Sequence, residues 1–344
     1  MTSKNALRPF LQIALFLLLV ILAACSAGPG VTQAPPVDPS PSPVPTLADP
    51  PTPTPAPASV WLIAGPEVAV RLREDYSNVL ANQAAQDNLV FEVKDSFRQS
   101  DLPADLKVAF FLSPPDDIST LAANLPNTQF VVVTASDLQP ATNLSVIRTA
   151  DNLVVFLAGY LATLNAPDFR SGALLVDGAA NNAQLQDSFL NGGRYFCGRC
   201  APVFAPIVLF PQVGMVPTNA DAAGWQAAFD ALNQNNIEML YLPAEGLLPD
   251  FLAYLAGKNV KIISDAPPPA GSEGLWVATV QSDTLAATTA LWPDLIAGTG
   301  GKISQAGLAL TNVNGTNLSV GRQQLAEKII PDLTSGIISP LSVP

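Results

Sequence analysis

The sequence predicts an α/β protein of two Rossmann-like lobes, each a parallel sheet covered by helices and joined to the other by a hinge of three strands. Three observations carry this. Beyond residue 58 some 286 residues remain, more than one hydrophobic core usually organises. Within them, continuous apolar, β-branched runs fall into two sets: Val60–Ala64, Leu89–Val93, Val108–Leu112 and Phe130–Thr134, then Ala173–Val176, Ile207–Phe210, Ile237–Leu242 and Val260–Ser264. Unbroken rather than alternating apolar runs signify strands buried on both faces, the habit of parallel sheets. Finally, amphipathic, helix-length stretches separate the runs, near 67–86, 115–124, 150–164, 180–195, 220–235 and 246–257, giving repeated βα units. In such folds ligands bind at the carboxyl ends of the strands.

The chain begins with a different kind of element. Lys4 and Arg8 precede an apolar run, Phe10–Leu22, that is too short for a membrane-spanning helix of about 20 residues. Its length suits the core of a secretory signal peptide. Leu22-Ala23-Ala24-Cys25 ends the run and resembles the lipobox of bacterial lipoproteins, with cleavage after residue 24 and Cys25 as the lipid-bearing residue. Each buried CH₂ of a lipid chain contributes about 0.8 kcal/mol of membrane affinity, so the bilayer is one expected partner. Residues 25–58 then form a stalk. Twelve prolines between 29 and 58 preclude helix and sheet. A polyproline II spacer of about 3.1 Å per residue would reach up to ~100 Å.

Composition excludes several functions. With 28 acidic side chains against 16 basic, the chain has no basic patch for nucleic acid. The complete lack of histidine excludes Ser-His-Asp and Cys-His catalysis and any zinc site built on imidazole. No cofactor or metal is implied, and the expectation is a protein that performs no covalent chemistry. The one carboxylate pair worth weighing as a glycan-cleaving couple is Glu245 with Asp265, each following a strand.

From Asn143 onward the sequence resembles the Bmp (basic membrane protein) family of substrate-binding lipoproteins. Four passages carry the likeness: Val146–Ala162 (VIRTADNLVVFLAGYLA), Gly172–Tyr195 (GALLVDGAANNAQLQDSFLNGGRY), Ile237–Asp265 (IEMLYLPAEGLLPDFLAYLAGKNVKIISD) and the tail Leu325–Pro344 with Gly336-Ile337-Ile338. The resemblance implies a type I periplasmic-binding-protein fold outside the cytoplasm. It also implies capture of a small polar ligand, nucleosides among the candidates, by lobe closure, and an ABC permease as partner. Lobe 1 is then expected at 59–149 with 271–304, and lobe 2 at 150–270 with 305–344. Asp265 matches the family aspartate that accepts from a ribose hydroxyl, and Glu245-Gly246 is a strand-end turn able to face the cleft. Trp276, beside the return strand, is the tryptophan best placed to stack on a ligand.

The sequence also departs from the family. Val60–Ala64 runs into Gly65-Pro66-Glu67 with no Asp-x-Ser-Phe-Asn loop, and Asp75-Tyr76-Ser77-Asn78 falls where helix surface is expected. Thr134 and Ser136 stand where the family has a strand-ending aspartate, and Gln281 stands at a family lysine. Loss of a buried Asp–Lys pair suits an uncharged ligand with amide or hydroxyl edges. The missing motif also leaves open a second reading, a binding-protein fold reused as a surface or protein-contact module.

Cys197-Gly198-Arg199-Cys200 holds the two thiols other than Cys25. In an oxidising compartment the pair forms a tight disulfide staple, whereas a thioredoxin-like role would need it at a helix N-terminus after a strand. With Cys25 lipidated, thiol titration of the denatured, unreduced protein is expected to find no free cysteine; two free thiols would remove the staple.

Overall fold

A computed structural model describes residues 57–342 apart from 67, 99–101, 104 and 179–180. Cys25, the apolar run before it and the stalk up to residue 56 lie outside the described residues. In the first lobe, β1 (Ser59–Ile63), β2 (Val90–Lys94), β3 (Leu106–Phe111), β4 (Gln129–Thr134), β5 (Leu144–Arg148) and β11 (Ile303–Gln305) form one parallel sheet of order β2-β1-β3-β4-β5-β11. The second sheet repeats that order with β6 (Ser171–Val176), β7 (Gln212–Val216), β8 (Met239–Tyr241), β9 (Lys261–Ser264) and β10 (Trp276–Asp283), running β7-β6-β8-β9-β10. An antiparallel strand, β12 (Gly307–Thr311), closes its edge.

The unbroken apolar runs have a physical reason visible in β1. Val60 and Leu62 enter one core with Tyr76, Leu80 and Leu291, while Trp61 and Ile63 enter another with Phe111, Ile118 and Phe130. Successive strand residues point to opposite faces, so both faces must be apolar. The helices covering this sheet are α1 (Val70–Gln86), α2 (Ile118–Asn124) and α7 (Thr284–Ala297). On α1 the buried residues are Tyr76, Leu80 and Ala84, a stripe at four-residue spacing.

In the second lobe, α5 (Ala222–Leu232) and α6 (Pro249–Gly257) bury Trp225, Phe229 and Phe251 against one face of the sheet. The other face carries α3 (Asp151–Asn165), α4 (Asn182–Cys197) and α8 (Val320–Thr334). Every residue of α3 from Val154 to Asn165 is buried. A helix enclosed on all sides must be apolar all round, which accounts for the sequence VVFLAGYLATL. Its contact with α4 is made by backbone: a Cβ on Gly159 would lie 2.2 Å from the Phe189 carbonyl oxygen, and one on Gly192 would lie 1.9 Å from that of Phe156.

The chain passes between lobes three times, at Thr149–Ala150, Asp283–Thr284 and around Ala306. These passages are hydrogen-bonded to one another. The Ala150 amide donates to Ser282 Oγ (2.8 Å) and the Ala306 amide to the Arg148 carbonyl (2.9 Å). Two expectations are corrected here. Residues 271–283 belong to the second lobe, because β10 pairs with β9; Ala266–Pro269 is a loop within that lobe, and the crossing follows Asp283. Ile207–Phe210 is not a strand. Pro206 and Pro211 bracket it without amide donors, Ile207 and Leu209 are exposed, and the neighbouring strand is Gln212–Val216. Cys197 and Cys200 form a disulfide at the end of α4, with Cα atoms 5.4 Å apart. Among the described residues no helix is long and apolar enough to cross a membrane.

The α3–α4 contact makes a prediction. Gly159→Ala or Gly192→Ala forces the two helices apart and is expected to destabilise the protein by about 1–3 kcal/mol or more. The measurement is the denaturant midpoint. Gly321→Ala, on an open face of α8, should leave it unchanged or slightly higher.

Candidate functional site

Parallel strands end where the following helices begin, so both sheets direct their carboxyl ends and helix N-termini into the same gap. That gap is a cleft of about 720 Å³. Lobe 1 contributes Leu72, Asp75 and Tyr76 from the start of α1, Val133 from β4, and Thr149 after β5. Lobe 2 contributes Asp151 and Val155 of α3, Leu175 and Val176 of β6, Asn182 and Leu185 of α4, and the strand-end residues Tyr241, Glu245 and Asp265. Gln281, Ser282 and Asp283 line it at the crossing between lobes. The seam is open rather than filled by its own side chains.

Asp265 is the best-defined polar group. Its Oδ2 accepts from the Tyr241 hydroxyl at 3.2 Å and its Oδ1 from the Ala244 amide at 2.9 Å. Burial, and then the nearby Glu245 charge, raise this carboxyl from 3.8 to about 6, although both hydrogen bonds oppose the rise. Burial pushes the Tyr241 hydroxyl well above its ordinary value, with the Asp265 charge adding to it. Across the cleft, Tyr76 is fully buried and burial raises its hydroxyl too. Arg73, just behind this wall, donates to the carbonyls of Ala64 and Gly65 at 2.7 and 2.8 Å, fixing the loop that follows β1.

Of the residues singled out in the sequence, Asp265, Glu245 and Gln281 come together in the cleft, and the others do not. Gly246 faces inward, where a Cβ would meet Leu242 at 2.4 Å and Trp225 at 2.8 Å, so it is a packing glycine. Trp276 is buried in the second-lobe core, and its indole donates to Thr279 Oγ1 at 2.9 Å. Thr134, the last residue of β4, and Ser136 just after it satisfy each other, hydroxyl to hydroxyl at 2.9 Å, while Val133 lines the cleft in their place. Asp75 and Tyr76, expected on helix surface, line the cleft. The four-residue spacing of Tyr76, Leu80 and Ala84 is the signal that places Tyr76 inward. Five carboxylates, Asp75, Asp151, Glu245, Asp265 and Asp283, border the cavity.

No family model and no curated protein matches the chain. Solved structures match its fold. A solute-binding protein of an ABC transporter system from Conexibacter woesei is 15% identical, with 84% of this chain and 99% of that one covered and a TM-score of 0.56. Another from Aeropyrum pernix K1 is 13% identical, covering 82% and 93%, with a TM-score of 0.57. A transcriptional activator of the comK gene from Bacillus halodurans is 9% identical, covering 80% and 97%, with a TM-score of 0.59. The fold is that of the type I periplasmic binding proteins, two parallel-sheet lobes about a cleft.

Asp265 makes stability depend on pH in a stated direction. Because its native value of about 6 lies above the ordinary 3.8, the folded state holds the proton more tightly, and stability falls as pH rises from about 4 to 6. Asp265→Asn keeps an acceptor for Ala244 and carries no charge. It is expected to stabilise the unliganded protein by about 1–3 kcal/mol at pH 7 and by nothing at pH 4, as read from denaturant midpoints at both pH values. A gain independent of pH would show that Asp265 bears no charge penalty.

Proposed function

We propose that the chain is a lipid-anchored, extracytoplasmic solute receptor of an ABC importer, related to the Bmp lipoproteins, that captures a small polar ligand by closing its lobes. The reading rests on one observation above the rest: an open cleft between the strand ends of two sheets, spanned by three mutually hydrogen-bonded crossings. Such a seam permits hinge motion, and a ligand touching both walls shifts the population toward the closed form, which a permease can distinguish from the open one. The lipobox-like Leu22–Cys25 and the proline-dense stalk supply tether and reach. The motif resemblance and the solute-binding proteins that share the fold support the same reading. The reading requires no covalent chemistry of the cleft residues, in keeping with a chain that has no histidine. The open cleft also favours ligand capture over a purely structural role.

The test is thermal denaturation and small-angle X-ray scattering of the intact chain against nucleosides, sugars, amino acids and amines. A true ligand at a hundred times its dissociation constant adds about 2.7 kcal/mol of stability and should reduce the radius of gyration. No shift in melting temperature with any compound would count against the receptor reading.

A further inference from the structure

The charges around the cleft are unequal. Five carboxylates line it, while Arg71 is the one basic side chain among the described lining residues. Three of the five are already matched locally. Asp75 pairs with Arg71, at 3.9 Å. Asp283 caps α7 by accepting from the Ala286 amide at 3.1 Å. Asp151 lies in the first turn of α3, at the positive end of the helix dipole. Glu245 and Asp265 remain, both on the second-lobe wall, and neither has a basic partner within ion-pair distance among the described residues. Asp265 receives the Tyr241 hydroxyl on one oxygen and the Ala244 amide on the other, with its own backbone amide close by, so the carboxylate keeps acceptor capacity.

From this placement, and resting on the receptor reading above, we infer that the solute is an organic cation: an amine on an apolar body, whose nitrogen is held by Glu245 and Asp265. Two neighbouring carboxylates in a partly enclosed cleft are unfavourable when unpaired, and a protonated amine relieves both desolvation and mutual repulsion. The walls on either side, Leu72, Val133, Val155, Leu175 and Leu285, suit an apolar body. A second, separate feature points to a ligand. The Tyr76 side chain is fully buried and lines the opposite wall, and its hydroxyl, beside Thr284 and Thr288, makes no hydrogen bond of good geometry. It leaves an unsatisfied polar group on the wall opposite Asp265, closed to solvent in this structure. An inorganic ion fits less well, because among the described residues no three acidic or sulfur groups converge as metal ligands do.

Lobe closure follows the same electrostatics. Asp75 on the first lobe is paired with Arg71, so closing an empty cleft leaves Glu245 and Asp265 unpaired in a less solvated space. A bound amine pairs those two charges as the cleft narrows, which favours closure around a cation.

The experiment is calorimetric titration of the intact chain with matched probes: tyramine against 4-(2-hydroxyethyl)phenol, spermidine against 1,8-octanediol, and glucosamine against glucose. Binding by at least one amine, with its neutral counterpart at least tenfold weaker, is expected. Glu245→Gln and Asp265→Asn should each weaken the amine about tenfold or more, a larger loss than its neutral counterpart suffers. Circular dichroism identifies any variant that fails to fold, and Glu245, being exposed, provides the safer substitution. Equal or tighter binding of the neutral partners, or amine binding indifferent to both substitutions, overturns the inference and leaves the receptor reading standing. Silence from all six probes also overturns it; the receptor reading then rests on the wider set of nucleosides, sugars and amino acids.

Discussion

The rest of the molecule depends on how its two sheets are held opposite each other. The peptide segments at Thr149–Ala150, Asp283–Thr284 and Ala306 do this, and they do not run independently. Ser282 on the second receives the amide of Ala150 on the first, and Arg148 beside the first receives the amide of Ala306 on the third. Gln305 adds side-chain bonds to the carbonyls of Arg148 and Thr149 at 3.2 and 3.4 Å. Because every strand next to these segments is parallel except β12, the ends that meet there are carboxyl ends, and the helix N-termini come with them. The cleft and its polar lining follow from that single arrangement.

Within the cleft the side chains are organised around an unfavourable charge. Asp265 is held by a tyrosine hydroxyl and a backbone amide, yet its burial and its neighbour Glu245 still drive its affinity for protons upward. A folded protein retains such a group only where something else offsets it. Where a bound molecule supplies that compensation, part of its binding energy is relief of a penalty already present in the empty cleft.

Much of the architecture was legible in the sequence. Val60–Ile63, Val108–Phe111 and Phe130–Val132 are apolar without interruption because each feeds cores on both faces, and that pattern alone implies helices above and below the sheet. The location of the second crossing was not legible. Trp276–Asp283 would look the same in either sheet, since its membership is settled by pairing with β9, a contact remote from any local pattern; the prolines at 267–269 suggested a boundary where there is only a loop. In the site, Asp265 was readable as the residue that ends a strand, whereas Gln281 came only from the family lysine whose place it takes. Gly246 and Trp276 were not, because one rotation of a turn or one step along a strand decides whether a side chain meets solvent or core. Tyr76 carried its own signal in the helical spacing with Leu80 and Ala84.

The backbone-to-backbone seat of α3 on α4 at Gly159 and Gly192 has a mechanical consequence. Helices in contact without intervening side chains have no soft layer in which to slide, so the second lobe behaves as a stiff arm from its sheet to its outermost helix. Deformation is thereby confined to the few dihedral angles at the crossings. A rotation of a few degrees there would be magnified with distance from the pivot, and the widest travel would fall at the rim of the cleft.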